Sequence, residues 1–452
     1  IFMNITLPES VKKIITTLKE AGYDAYAVGG CVRDSLLNRI PDDWDITTSA
    51  LPEQVKELFP RTIDTGIKHG TVTILMRSTH KESAWETYEV TTYRIDGEYE
   101  DSRHPKEVEF TDNLLEDLKR RDFTINAMAY NEESGIVDAF HGMEDLERGI
   151  IRAVGNPIER FTEDALRMMR AVRFAAQLGY EIEEETQKAI KELAPTLRKI
   201  SGERIQVELI KLATSNHPEK IKLLYETGIT KVIMPEFDIA METPQNHPHH
   251  CYSVGEHTIH SMEAVANRKI LRLAMLFHDM GKPAKHTVGQ DGYDHFHGHA
   301  EESAKIAKTV LRRLKFDNDT IDKVTRLVLY HDYKMEPEKK YVRRAIYKIG
   351  EDIFKDYLQV QRADILAQSH YERQEKLERV ENVEKLYEEI MRDKECISLK
   401  TLAVNGKDLM EAGIAPGKEI GVILKEMLEL VLEDNTKNNK EFLLNYLKNR
   451  NN

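Results

Sequence analysis

The chain has 452 residues, of which 40% are hydrophobic and 32% charged, and carries a formal net charge of −13. That length holds roughly two to four domains, and the composition describes a soluble chain rich in helix. No apolar run approaches the roughly 18 residues of a membrane span, and the acidic balance excludes a generic polyanion binder, so any nucleic-acid contact must use local basic patches.

Residues 4–22 have the spacing of an amphipathic helix, with Val11, Ile14, Ile15 and Leu18 on one face and Gly22 near its end. Ala25-Tyr26-Ala27-Val28 reads as a buried strand, and Val32, Leu36 and Leu37 repeat at helical spacing. Gly29-Gly30 therefore sit where a strand turns into a helix. Glycine lets backbone approach a ligand, and a helix N-terminus offers free N–H groups to an anion. With the charge of Arg33 this is a candidate triphosphate cradle; a tight structural turn is the competing reading. Asp43 and Asp45 follow. On a strand both carboxylates share one face, with Trp44 and Ile46 on the other. Two adjacent carboxylates suit Mg²⁺, which takes one or two of them plus substrate phosphates. A solvated acidic loop after Pro41 is the alternative, and the glycine turn upstream favours a Mg²⁺–nucleotide site.

Residues 52–59 read as a short helix, and 71–76 and 88–94 as strands in which Val90 and Thr92 alternate with Glu89, Thr91 and Tyr93. Glu89 is a candidate third carboxylate, more readily read as a solvated strand residue. Residues 97–106 are polar and aperiodic and read as a loop. Residues 114–127 resume a helical pattern through Arg120-Arg121, and the α/β section closes near residue 150.

From about residue 156 the pattern is wholly helical. Thr162 suits an N-cap and Gly179 a stop. Between them Glu163, Asp164, Arg167 and Arg170 share one face, with Arg173 close by. A solvated ion-pair ladder would look the same. An Asp/Arg pair also has a specific chemistry: it can read the acceptor-beside-amine edge of cytosine or adenine, whereas guanine and uracil would meet it donor to donor. Unpaired buried groups cost about 1–3 kcal/mol each. Glu163 would hold Arg167 in place. A further helix runs from Gly202 through Leu212.

The composition then changes. Seven of the 17 histidines lie between His247 and His286, and residues 244–248 look like a linker. His257 lies near the start of a helix. His278-Asp279 ends the apolar run 271–277, His295, His297 and His299 fall on a loop, His331-Asp332 ends another apolar helix, and Asp364 sits in a further one. Imidazole and carboxylate together suit divalent transition metals. Past about residue 376 come a charged helix, a turn at Gly413 and Pro416-Gly417, and two apolar helical stretches. Cys31, Cys251 and Cys396 lie far apart in no metal or redox spacing and read as reduced cytosolic thiols. No signal peptide is visible, and Ile1-Phe2 read as a remnant before a natural start at Met3; a cytoplasmic location is expected.

Five motifs occur in one order: Gly29-Gly30…Arg33-Asp34, Asp43-Trp44-Asp45-Ile46, Arg120-Arg121-Asp122-Phe123-Thr124-Ile125-Asn126-Ala127, Glu163-Asp164-Ala165-Leu166-Arg167…Arg170…Arg173-Phe174, and Ser201-Gly202-Glu203-Arg204-Ile205. Together they resemble the class II tRNA nucleotidyltransferases, the family of CCA-adding enzymes and bacterial poly(A) polymerases, closely over about residues 10–215. Residues 245–370 resemble an HD-type phosphohydrolase domain through His257, His278-Asp279 and Asp364. Asn156 stands where the family usually has Asp.

The resemblance implies an α+β fold: a polymerase-β-like head with a mixed sheet (1–150), a helical neck and body for base recognition (151–243), an HD domain (244–375) and a helical tRNA-binding tail (376–452). It implies that Asp43 and Asp45 are catalytic and bind two Mg²⁺ ions. Gly29, Gly30, Arg33 and Arg121 would contact the nucleotide's triphosphate and sugar, Asp164 and Arg167 would read the base, and Arg170 and Arg173 would lie on phosphate or base. The substrates would be CTP, ATP and the acceptor stem and 3′ end of tRNA. A second divalent metal (Mn, Ni, Fe or Mg) would sit at His257, His278, Asp279 and Asp364, for removal of 2′,3′-cyclic phosphate or phosphate at damaged tRNA ends. The alternative is an A-adding enzyme or poly(A) polymerase whose HD domain is a non-catalytic RNA-binding module. A-only members lack a loop such as 96–106, which disfavours that alternative.

Overall fold

A computed structural model describes residues 4–78, 84–97, 99 and 107–450; most of the polar loop read at 97–106 lies outside them. The chain falls into two units, residues 1–235 and 236–452.

In the first unit, α1 (Glu9–Glu20) buries Val11, Ile14, Ile15 and Leu18, the face that the apolar spacing dictates. It is shorter than the expected 4–22, because Pro8 flanks it in an extended conformation and, lacking an N–H, marks a helix start. β1 (Ala25–Val28) leads through Gly29 into α2 (Gly30–Leu36). Then come β2 (Asp45–Thr48), α3 (Pro52–Leu58), β3 (Thr62–Gly66), β4 (Thr71–Arg77) and β5 (Trp85–Thr92). A ribbon of β6 (Arg94–Asp96) and β7 (Val108–Phe110) precedes α4 (Leu114–Lys119), β8 (Ala129–Asn131), β9 (Gly135–Val137) and α5 (Gly142–Arg148). The main sheet has seven strands in the order β3-β4-β5-β2-β1-β8-β9. β2 runs antiparallel to β1 and parallel to β5, so the sheet is mixed, as expected.

Three local expectations are corrected here. The helix expected over 114–127 stops at Lys119, and Thr124–Asn126 form a separate 3₁₀ turn. β2 begins at Asp45, so Asp43 lies outside the strand. Residues beyond 156 are not wholly helical: β10 (Ile150–Ile151) pairs in parallel with β11 (Glu181–Ile182). Between those two strands lie α6 (Pro157–Glu163) and α7 (Leu166–Leu178), followed by α8 (Glu184–Leu193), α9 (Gly202–Ala213), α10 (Ile221–Glu226) and α11 (Thr230–Ile233).

The second unit is almost entirely helical. α12 (Pro235–Met241) opens it, followed by α13 (Val254–Ala264) and α14 (Lys269–Phe277), whose residues Leu271 to Phe277 are all buried. A two-stranded ribbon, β12 (Thr287–Val288) and β13 (Asp294–His295), leads to α15 (His299–Arg313). His295 is therefore on a strand and His299 opens a helix, not the single loop expected. α16 (Asn318–Tyr330), α17 (Lys339–Ile349), α18 (Phe354–Leu366) and the charged α19 (Arg373–Arg392) follow, then α20 (Gly406–Glu411), α21 (Lys418–Glu433) and α22 (Lys440–Arg450). The buried Arg343 of α17 donates to the carbonyls of Leu432 and Glu433 at the end of α21, at 2.8 and 3.2 Å, and pairs with Glu395 at 2.7 Å. It thereby satisfies carbonyls that a helix end leaves without partners. No helix among the described residues is long and apolar enough to cross a membrane.

Candidate active site and metal centre

Gly29 takes φ = +81°, a conformation open to glycine at little cost. A Cβ there would stand 3.1 Å from Arg121 Nη1. The strand-to-helix turn thus lets a half-buried guanidinium come against the backbone. Arg121 Nε has no hydrogen-bond partner among the described residues, and burial depresses the pKa of the group. Arg33 is more tightly held. Its Nε lies 2.9 Å from Asp34, its Nη1 donates to Asn126 Oδ1 at 2.6 Å, and its guanidinium lies 5.0 Å from the centre of the Phe174 ring.

A cleft of about 550 Å³ brings Gly30, Arg33, Asp43, Asp45, Arg173 and Phe174 together. Asp43 and Asp45 are both exposed while Ile46 is buried and Trp44 half-buried, so the two acids share an open side although only Asp45 is on the strand. Glu89 of β5 is the register partner of Asp45 on the neighbouring strand and is also exposed. The protein packed around Asp45 raises its pKa; Arg121 opposes this, while the carboxylates of Glu89 and Asp43 add to it. A hard cation there would relieve that crowding, so the residues present fit Mg²⁺.

The expected base-reading helix is in fact two. Thr162 is no N-cap: it lies in the last turn of α6 and its hydroxyl donates to the Ile158 carbonyl at 2.6 Å. The backbone breaks at Asp164 (φ −141°, ψ 105°). Asp164 Oδ1 accepts the Leu166 N–H at 3.0 Å, and Oδ2 accepts from Arg204 at 2.9 Å. Asp164 therefore caps the start of α7 instead of lying along a continuous face with Arg167. The partner expected for Arg167 is present: Glu163 Oε2 accepts from Nη1 at 2.6 Å. The carbonyls of Arg160 and Arg120 complete its setting at 3.2 and 3.1 Å.

The sequence alone assigns no role to Asp122, Asn126, Arg204 or Glu208, although the first three lie in two of the quoted motifs. Asp122 Oδ2 accepts from Arg170 Nε at 2.8 Å, and Asp122 Oδ1 from Asn126 at 3.2 Å. Since Asn126 also holds Arg33, one chain of hydrogen bonds runs from the glycine turn to α7. Burial would raise the Asp122 pKa, but Arg170 and Arg167 hold it well below the usual carboxylate range. Glu208 of α9 pairs with Arg173 Nε at 2.6 Å, and that guanidinium lies 4.2 Å from the Phe174 ring centre. Burial lowers Arg173 to about 10. Acids placed far away in sequence were the missed partners of arginines that the sequence does expose.

The second unit gathers the expected His257, His278, Asp279 and Asp364 into one cluster. His257 Nε2 lies 2.8 Å from Asp364 Oδ1 and 3.1 Å from His278 Nε2. His299 and His331, named among the histidines of this stretch but outside the ligand set that the resemblance implies, form a second group with Asp279. Each of these four rings places Nδ1 on a backbone carbonyl: Ala367 for His257 (3.1 Å), Met275 for His278 (2.6 Å), Phe296 for His299 (2.9 Å) and Val328 for His331 (2.6 Å). A carbonyl only accepts, so Nδ1 carries the proton and Nε2 of the neutral ring offers a lone pair inward, as metal-binding histidines do. Burial would raise Asp279 and Asp364; positive charge on the facing rings, and on Lys282 for Asp279, opposes this and holds both well below the usual range, a charge that a bound cation would supply in place of ring protons.

Family models match three stretches of the chain. The family model for the poly(A) polymerase head domain matches residues 25–152, that for the RNA- and SrmB-binding site of polymerase A matches 179–241, and that for tRNA nucleotidyltransferase domain 2 matches 296–447. The CCA-adding enzyme of Lactobacillus helveticus is 36% identical over 439 residues, 96% of this chain and 95% of its own length. That of Enterococcus faecalis is 35% identical over 450 residues, 98% and 97%. The Bacillus stearothermophilus CCA-adding enzyme, solved in complex with CTP, superposes with a TM-score of 0.72 at 32% identity over 97% of this chain and 96% of its own. A match of this identity along nearly the whole length shows that the chain belongs to the CCA-adding enzymes, and it is a CCA tRNA nucleotidyltransferase.

Proposed function

We propose that the first unit adds the 3′-terminal CCA to tRNA without a template, taking the nucleotides from CTP and ATP and releasing pyrophosphate. The observation that carries this reading is the cleft in which Gly30, Arg33, Asp43 and Asp45 meet, joined through Asn126 and Asp122 to Arg170. Asp43 and Asp45 would hold two Mg²⁺ ions, with Glu89 beside them. When bound, such ions activate an attacking hydroxyl and neutralise a pyrophosphate leaving group. The half-buried guanidinium of Arg121 and the fixed charge of Arg33 orient the triphosphate, and Gly29 and Gly30 allow its close approach.

Asp164 and Arg167 select the base. Each Asp164 oxygen already accepts one hydrogen bond and keeps a lone pair, which can take the amine of cytosine or adenine. Arg167 has donors beyond those given to Glu163 and the two carbonyls, and one can meet the adjacent ring nitrogen. Their existing partners hold both groups in place before the nucleotide arrives. Guanine or uracil would leave groups unpaired at about 1–3 kcal/mol each. The test uses tRNA transcripts lacking CCA, ending in C or ending in CC, incubated with CTP and ATP. Failure to extend the shortest one would sink the reading and favour A-only addition. Asp164→Ala and Arg167→Ala should relax the choice of C and A over G and U; unchanged choice in both would reject the base-reading assignment.

The second unit supports a further activity. We read residues 244–375 as an HD-type metal-dependent phosphohydrolase domain and 376–452 as a tRNA-binding tail, beside a head over 1–150 and a neck and body over 151–243. The converging Nε2 atoms and carboxylates support this, and Lys282, Lys334, Lys376 and Arg379 line the same cavity of about 170 Å³, a setting for a phosphate ester. When bound, a divalent ion there polarises the ester toward water. The substrate would be a 2′,3′-cyclic phosphate or phosphate at a damaged tRNA end. A cyclic-phosphate RNA offered to wild type and His278→Ala tests it: no hydrolysis and no bound transition metal would leave a non-catalytic RNA-binding module.

A further inference from the structure

The segment between α12 and α13 and the strand β13 bring a further set of rings together in the second unit. His247 and His249 stack with centres 4.9 Å apart and planes at 19°, and His295 and His297 lie parallel at 5.5 Å and 4°. His247 meets His295 edge to face at 5.8 Å, which joins the two pairs. These four rings wall a cavity of about 280 Å³ that also touches Lys282 and His299. Lys282 and His299 line the cavity of about 170 Å³ beside Asp279 as well, so the two cavities adjoin.

Their chemistry differs. Lys282, Lys334, Lys376 and Arg379 line the smaller cavity; only Lys282 of these reaches the larger one. Burial lowers the pKa of His247 and His249, so both rings are neutral at pH 7. The four rings do not converge on a metal. Nδ1 of His249 accepts from Lys376 at 2.9 Å, Nδ1 of His247 accepts the His249 N–H at 3.3 Å, and His295 Nε2 donates to Asp291 at 2.9 Å. Among the described residues none of the four belongs to a group with metal-ligand spacing. Nitrogens tied back to the chain leave the flat of each ring as its contact surface. His297 is exposed at the end of its stack, where another flat ring can continue the pile. Histidine rings are among the side chains on which unpaired bases stack.

We propose that this cavity is a base subsite: the last nucleobase of an RNA strand stacks on His247 and His297 while its phosphate lies in the adjoining basic cavity. This rests on reading the second unit as a phosphohydrolase, and it narrows the substrate from phosphate esters at large to an unpaired terminal nucleotide. A base held in a duplex has no free face for the rings, so the subsite selects single-stranded ends.

Two short RNAs test it, one ending in adenosine 2′,3′-cyclic phosphate and the other in the same cyclic phosphate on an abasic ribose. Stacking of one base on aromatic side chains is worth about 5- to 150-fold in affinity, and exposed rings belong near the low end. The expected result is a kcat/KM about tenfold higher for the adenosine end, carried by KM. His297→Ala should remove that preference, and His297→Phe, which keeps a ring without its nitrogens, should restore it. All three proteins should cleave the abasic end equally. His247→Ala supplies the same measurement if His297→Ala also slows cleavage of the abasic end. Equal kcat/KM for the two ends in wild type overturns the base subsite, as does a preference unchanged in both alanine variants or one that His297→Phe fails to restore. No cleavage of either RNA removes the phosphohydrolase reading alone, and fluorescence anisotropy of the same two RNAs then decides. Tighter binding of the adenosine end that His297→Ala abolishes keeps the subsite; equal binding overturns it as well.

Discussion

Replacing Asp122 by asparagine tests the link between the nucleotide cleft and α7. Asp122 is 8% exposed. Its carboxylate takes hydrogen bonds from Arg170 and Asn126. Breaking a fully buried ion pair costs about 3–5 kcal/mol. The Arg170 side chain is one-third exposed and keeps Glu208 at 4.0 Å, so water and a second acid recover part of that. A loss of about 2 kcal/mol follows. At about 2–4 °C per kcal/mol for a unit of this size, the melting temperature should fall by about 4–8 °C. The measurement is differential scanning calorimetry at pH 7, following the transition that CTP raises. The pH dependence has a fixed sign. The pKa of Asp122 is lowered on folding, so its contribution is complete above about pH 4, the ordinary carboxylate value, and is lost as the pH falls toward the lowered pKa. The gap between wild type and Asp122→Asn should be equal at pH 8 and pH 5.5. A difference under about 2 °C at pH 7, with unchanged selection of C and A, would refute the coupling drawn through Asn126 and Arg33.

Three other outcomes are expected. Gly29→Ala should slow nucleotide transfer and cost about 1–2 kcal/mol in chemical denaturation, since its Cβ would crowd Arg121 at positive φ; a fully active, equally stable variant would contradict the close approach. Asp45→Asn should abolish transfer while leaving tRNA retention in a gel-shift assay unchanged; loss of tRNA binding would show a structural role instead. With an alkylating reagent at pH 8 the folded protein should expose one fast thiol, the exposed Cys251. Burial pushes Cys31 up to about 11, so rapid labelling of Cys31 by peptide mapping would show that the strand-to-helix turn opens.

Much of this was legible because it is local. The buried face of α1 follows from apolar spacing alone. The alternation of Glu89 and Val90 along β5 does too, and Gly179 ends α7 with φ = +72° as a left-handed C-cap should. His278 and His331 stand at the ends of apolar helices, as the residue pattern says. What escaped depends on partners distant in sequence. The break at Asp164 is invisible in a run of good helix formers, because it is held by Arg204, some forty residues on. Pairing of Ile150–Ile151 with Glu181–Ile182 involves two residues a side, too few for any periodicity. β3 is largely exposed and lacks the apolar signal of its neighbours. His299 and His331 were noticed singly, but only the fold shows that one carboxylate serves both them and His278.

The Nδ1–H···O=C contacts of His278 and His331 reach back three residues, to Met275 and Val328, in the last turns of α14 and α16. Those carbonyls belong to the group that a helix leaves without intrahelical donors at its C-terminal end. Each imidazole is therefore a helix terminator as well as an inward-facing base. An alanine at 278 strands the Met275 carbonyl at about 1–3 kcal/mol and invites the last turn to unwind, whereas at 331 the backbone N–H still reaches the Val328 carbonyl at 3.4 Å, so lost metal or lost activity in His278→Ala confounds two effects. Glutamine or asparagine, which keep an N–H within reach of the carbonyl, make the cleaner controls.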